Sequence, residues 1–154
     1  MQAPFDRSLL RQRRNRASTN FASHDFLLSE ITDRLLDRLD DIKRPFADIL
    51  NLGCHSGLAG EVIAARADTR FLVQSDLSDK MAFLARNRNN QATITSDEEA
   101  LPFADESFDL IVSALSLHNV NDLPGALIQA NRCLRPDGVF LAAMFGGQTL
   151  TELK

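Results

Sequence analysis

The chain has 154 residues, 44% of them hydrophobic and 25% charged, with a formal net charge of −4. Those values describe one globular domain with a core of its own, and they exclude wholesale disorder and fibrous repeats. The longest uncharged stretch, Gly138 to Thr151, is 14 residues and too short to cross a bilayer as a helix.

Two cysteines, Cys54 and Cys133, cannot build a disulfide framework, and no apolar signal segment opens the sequence. The expected compartment is a reducing cytoplasm. Charge is unevenly placed. Residues 1–16 carry Arg7, Arg11, Arg13, Arg14 and Arg16 against Asp6, a local charge of +4, and the whole-chain −4 then leaves −8 for the rest. Residues 1–22 read as a basic arm with a short helix over Arg7 to Arg16. Such an arm can be a solvated face, bind an acidic partner, or fold back onto the chain's own acidic cleft. The acidic body argues against nucleic acid as a partner.

The body, residues 23–154, reads as one domain. Ser23 and Asp25 are candidate caps for a helix starting near Phe26, where Leu28, Ile31, Leu35, Leu39 and Ile42 recur at helical spacing. Phe46 to Leu52 reads as a strand and runs straight into a turn, Gly53-Cys54-His55-Ser56-Gly57. A helix over Leu58 to Arg66 is expected to turn Leu58, Val62 and Ile63 inward. Arg70 to Ser75 is a second strand closed by Asp76, Ser78 to Arg86 a further helix, and Ala92 to Thr95 a short third strand ahead of Asp97-Glu98-Glu99. Phe108 to Ala114 is a fourth strand. Asn121 or Asp122 caps a helix over Leu123 to Leu134, with Pro124 in its first turn and Leu127, Ile128 and Leu134 facing the core. Arg135-Pro136-Asp137-Gly138 is a turn, Val139 to Phe145 a fifth strand, and Thr149 to Lys154 the start of another helix. Strands alternating with helices predict a doubly wound, Rossmann-like α/β domain with a parallel sheet.

In such sheets ligands sit outside the carboxyl ends of the strands, at the point where strand order reverses. The first strand ends in a glycine turn that lets backbone approach a ligand, and Asp76 follows nineteen residues after Gly57. A carboxylate there can accept hydrogen bonds from both hydroxyls of a ribose. These two features fit a nicotinamide dinucleotide or S-adenosylmethionine. The dinucleotide fingerprint wants G-x-G-x-x-G, and here His55 stands in the middle position. Asp97, at the end of the third strand, can accept from an adenine amino group. Both points favour S-adenosylmethionine. His24, His55 and His118 lack ligand spacing, so no metal site is expected.

Over nearly its whole length the chain resembles class I S-adenosylmethionine-dependent methyltransferases. It is similar to the group of malonyl-carrier-protein methyltransferases and to the methyltransferase-like assembly factors of respiratory complex I. Phe5-Asp6-Arg7, Leu52-Gly53-Cys54, Asp97-Glu98-Glu99 with Leu101-Pro102-Phe103, Ser116-Leu117-His118, Val120-Asn121-Asp122-Leu123-Pro124 and Ala143-Met144-Phe145-Gly146-Gly147 carry the likeness. The resemblance implies S-adenosyl-L-methionine as cofactor. It places Asn51, Gly53, Cys54 and Gly57 around the methionine part, and Asp76 on the ribose. Leu77 would pack on adenine, Asp97 and the Glu98 backbone would hold the adenine edge, and Ser113 would lie near the substrate entrance. No catalytic side chain is implied, because such chemistry rests on positioning and desolvation.

The acceptor class stays open among small molecules, carrier-bound acids and proteins. The alternative reading is an assembly factor that is noncatalytic or non-methylating, for example hydroxylating a protein arginine. Three positions depart from the family pattern: Asn51 where an acidic residue is usual, His55 for a glycine, and Asn119 where an aromatic residue often stands. At about 1 kcal/mol each they would weaken cofactor binding by an order of magnitude or more. The resemblance also implies two further strands, the last antiparallel. The chain therefore reads as truncated after its fifth strand, with that strand a free apolar edge open to self-association.

Overall fold

The computed structural model of the chain describes residues 3–149 and 151–153. Five parallel strands form one sheet in the order β3-β2-β1-β4-β5, with β1 Asp48–Leu52, β2 Phe71–Asp76, β3 Ala92–Thr95, β4 Phe108–Ala114 and β5 Leu134–Ala143. The helices are α1 Arg7–Ala17, α2 Phe26–Asp40, α3 Leu58–Ala64, α4 Asp79–Asn89 and α5 Leu123–Cys133. The chain runs outward from β1 to β2 and β3, then returns to place β4 on the other side of β1. Strand order therefore reverses between β1 and β4, and a crevice opens at their carboxyl ends.

The period-2 alternation of strand residues divides the core into two layers. Ile49, Leu110 and Val112 meet Leu28, Leu35, Leu36 and Leu39 of α2 and Ile63 of α3 on one face. Leu50, Leu52 and Ile111 meet Leu101, Leu117, Ala130 and Cys133 on the other. Each of these large aliphatic side chains contributes about 1.5–3 kcal/mol by leaving water.

Several details differ from the sequence expectations. Val62 is 45% exposed, and Ile63 takes the buried place on α3. On α5 Leu127 and Ile128 are 39% and 70% exposed, because the helix presents the small residues Ala126, Ala130 and Cys133 to the sheet and so packs closely. Asp122 caps α5 by accepting from the Gly125 amide, whereas Asp25 at the start of α2 makes no side-chain cap bond. The expected turn at Arg135–Gly138 lies within β5 as an irregularity in register: Leu134 pairs with Phe108 and Val139 with Leu110. At the far end Thr151–Leu153 forms one 3₁₀ turn rather than a regular helix, and Leu150 and Lys154 lie outside the described residues.

Candidate functional site

The crevice is built from strand ends. β1 delivers Asn51 and Leu52 into a turn in which Gly53 has φ +66° and Gly57 φ +86°, a left-handed backbone that favours glycine. Neither position has room for a side chain: a Cβ on Gly53 would overlap Ser116, and one on Gly57 would lie 2.8 Å from Ala85 Cα. The Cys54 amide donates to Ser75 O at 2.8 Å, which ties the turn to β2. Cys54 itself is buried, and burial pushes its thiol well above the ordinary range, which disfavours the thiolate.

Asp76 closes β2 and is fully buried. Its carboxylate accepts from the His55 amide at 2.9 Å and the Ser78 amide at 2.8 Å. Leu77 is buried beside it. Asp97, beyond β3, accepts the Glu99 amide at 2.9 Å, and Glu99 in turn accepts the Asn121 and Asp122 amides that lead into α5. Buried polar atoms near these strand ends that lack a protein partner include Asn51 Nδ2, Ser56 Oγ, Ser75 Oγ, Ser96 Oγ, Ser113 Oγ and His118 Nδ1. Unpaired buried polar atoms are costly.

The arm folds back onto the acidic crevice, one of the three readings its charge allowed, and the structure adds which arginines enter it. Arg14 of α1 is 7% exposed and reaches Asp76 Oδ1 and Glu98 Oε1 at 3.2 Å each and Ser116 Oγ at 3.1 Å. Arg7 donates to Asp97 Oδ1 at 2.5 Å, to Glu98, and to Asn119 O at 3.0 Å, and it lies 3.3 Å from Glu99. Ser116 donates to Glu98 at 2.5 Å. Glu98, expected to act through its backbone, also carries a buried side chain that lies over Gly53. Burial pushes its carboxyl up, yet Arg14, the Ser116 hydroxyl and Arg7 together hold it below the usual range. The one available sequence signal was the opposed charge of the arm and the Asp97-Glu98-Glu99 run.

His55, at φ +49°, stacks on Phe21 at 6.1 Å, and its Nε2 lies 3.0 Å from Ala114 O. Burial holds its imidazole below the ordinary pKa despite nearby Asp76, and burial likewise lowers that of His118, with Arg14 adding to the effect. Both rings are thus neutral near pH 7. Leu10, Arg13, Arg14, His55, Met81 and Leu115 help line a cavity of about 280 Å³ beside them. Among the described residues no group of three or more His, Cys, Asp or Glu is placed to hold a metal ion.

Residues 50–142 match the family described as "Methyltransferase domain". A human relative, "Arginine-hydroxylase NDUFAF5, mitochondrial", is 42% identical over 97% of this chain and 44% of its own length. "Malonyl-[acyl-carrier protein] O-methyltransferase" of Halorhodospira halophila is 31% identical over 97% of this chain and 52% of its own. The chain thus spans about half the length of the curated relatives it matches. Phosphoethanolamine N-methyltransferase 1 of Haemonchus contortus, solved with phosphoethanolamine and S-adenosylhomocysteine, superposes with a TM-score of 0.76 at 19% identity, over 92% of this chain and 33% of that one.

Proposed function

This chain belongs to the methyltransferase-domain family, and from that premise we propose that it binds S-adenosylmethionine in the β1–β4 crevice and transfers a methyl group to an acceptor. The observation that carries the reading is the pair of carboxylates at successive strand ends, Asp76 at the end of β2 and Asp97 just beyond β3. Both already accept hydrogen bonds from N–H donors, as they could from the O–H of ribose hydroxyls and the N–H of an adenine amino group. The unpartnered atoms of Asn51 and Ser113 add polar groups in want of a ligand at the same end of the sheet.

The bound cofactor supplies an electrophilic methyl on a sulfonium. Asp76 would orient the ribose and Asp97 the adenine edge, with Leu77 as an apolar wall. Gly53 and Gly57 keep the turn close to the ligand because neither carries a side chain. Neutral His55 and His118 border the crevice without adding charge. The chain's own contribution is then positioning and exclusion of water, with no dedicated base. Titration calorimetry with S-adenosylmethionine tests this: saturable binding below about 100 μM that Asp76→Ala abolishes is the expected result. No binding to a folded protein would sink it.

A second reading, an assembly factor acting on a protein arginine, draws on the name of the human relative and on the two guanidiniums already seated against these carboxylates. Methyl transfer to a panel of acceptors separates the two. We also propose self-association through β5, whose outer edge has no strand partner among the described residues. Sedimentation showing only monomer would remove that idea. No helix among the described residues is long and apolar enough to cross a membrane. Cys54 and Cys133 are both free and buried, which suits the reducing compartment we propose.

A further inference from the structure

The basic arm lies on the crevice, and polar contacts hold it there. Arg14 is the one buried residue of α1, and Leu9 on the same helix is 40% exposed. Apolar burial therefore contributes little to the docking. Phe5 exchanges backbone hydrogen bonds with the Asn121 side chain, at 2.8 and 3.0 Å. Asn15 donates to Asp79 at 2.8 Å and accepts from Ser78. Between these anchors Arg7 and Arg14 engage Asp97, Glu98, Glu99 and Asp76.

That arrangement has an electrostatic cause. Asp76 and Glu98 are almost wholly buried, and a buried carboxylate without a counter-charge is strongly unfavourable. A cation has to occupy the crevice whenever it is folded, and the arm supplies guanidiniums. S-adenosylmethionine carries a sulfonium, an ammonium and a carboxylate, so it brings one net positive charge. It would also need the oxygen of Asp76 that Arg14 now holds and the oxygens of Asp97 that Arg7 now holds. The arginines bring two positive charges and the cofactor one, but both occupants ask for the same acceptors, Asp76 and Asp97.

We infer that Arg7 and Arg14 are a built-in competitor of the cofactor: they neutralise the crevice in the cofactor-free protein and must leave Asp76 and Asp97 before the nucleoside can bind. The inference rests on the S-adenosylmethionine reading above. Its consequence is that the apparent affinity is the intrinsic one reduced by the fraction of molecules with the arginines withdrawn.

The test is calorimetric titration of the full chain and its Arg14→Met and Arg7→Met variants with S-adenosylmethionine, together with amide hydrogen exchange of residues 7–17 with and without saturating cofactor. Each substitution is expected to tighten binding about ten-fold, and α1 amides to exchange faster when cofactor is present. Arg7 lies nearer the rim, so its variant carries the test if Arg14→Met fails to fold. Unchanged or weaker binding in the folded variants, or α1 amides that slow on cofactor addition, overturns the inference and makes the arm a cooperating lid. Absence of binding in wild type and variants alike is a different result: it removes the S-adenosylmethionine reading, and the competitor with it.

Discussion

The two ends of the sheet each gather aspartates and arginines, but they balance them differently. At the amino end Asp48 accepts from Arg70 Nε at 3.0 Å and Arg135 at 2.8 Å, and Asp109 accepts from Arg135 at 3.1 Å and from the Asp48 amide at 2.9 Å. Two acids meet two arginines, and all four belong to the sheet or its immediate connections. At the carboxyl end Asp76, Asp97, Glu98 and Glu99 meet, among the described residues, only the cations Arg7 and Arg14, both borrowed from α1. A balanced, internally supplied network is a clamp. An under-neutralised one whose cations come from a separate helix is a place where another cation can bind.

The sharpest test of that contrast is to remove one carboxylate charge at each end. Asp76→Asn is expected to weaken S-adenosylmethionine binding about 100-fold by calorimetry. Asp48→Asn should leave that affinity unchanged. Gly53→Ala comes next: the added methyl meets Ser116 at a left-handed φ, and the melting temperature should fall by about 4–8 °C. For Asp48→Asn itself the expected fall is about 2–4 °C; equal losses of affinity from Asp48→Asn and Asp76→Asn would erase the distinction.

Acid should loosen both ends. Burial acts to raise the Glu98 and Asp109 carboxyls, but their partners hold both below their ordinary values, and Arg70 lowers Asp48. A carboxyl lowered on folding stabilises the fold above its unfolded pKa and loses that contribution as pH falls through the folded value. Melting temperature should therefore begin to decline below about pH 6.5, where unfolding lets the buried His55 and His118 take up protons, and decline further below about pH 4 as the carboxyls protonate. The smallest effect belongs to a residue at neither end. Ile128→Ser, on the exposed face of α5, should change stability by less than about 0.5 kcal/mol.

Much of the architecture was legible in residue order. Apolar runs broken by Gly53, Asp76 and Asp97 marked the strand ends, since a ligand crevice at a sheet's carboxyl edge needs small or acceptor residues there. Inward and outward faces of the short helices were less legible. Leu58–Ala64 and Leu123–Cys133 carry apolar residues all round, and the sheet's demand for close packing chose Ile63 and the alanines over Val62 and Ile128.

For the site, the local pattern along the chain determined which acceptors line the crevice: strand, glycine turn, strand, aspartate are contiguous signals. Tertiary structure alone decided which donors meet them. Arg14 lies 62 residues from Asp76 and Arg7 lies 90 from Asp97, and five arginines in the arm are alike in sequence. Only the docking of α1 across the strand ends selects two of them, because charge is free to pair at any sequence distance once burial makes an unpaired carboxylate too costly.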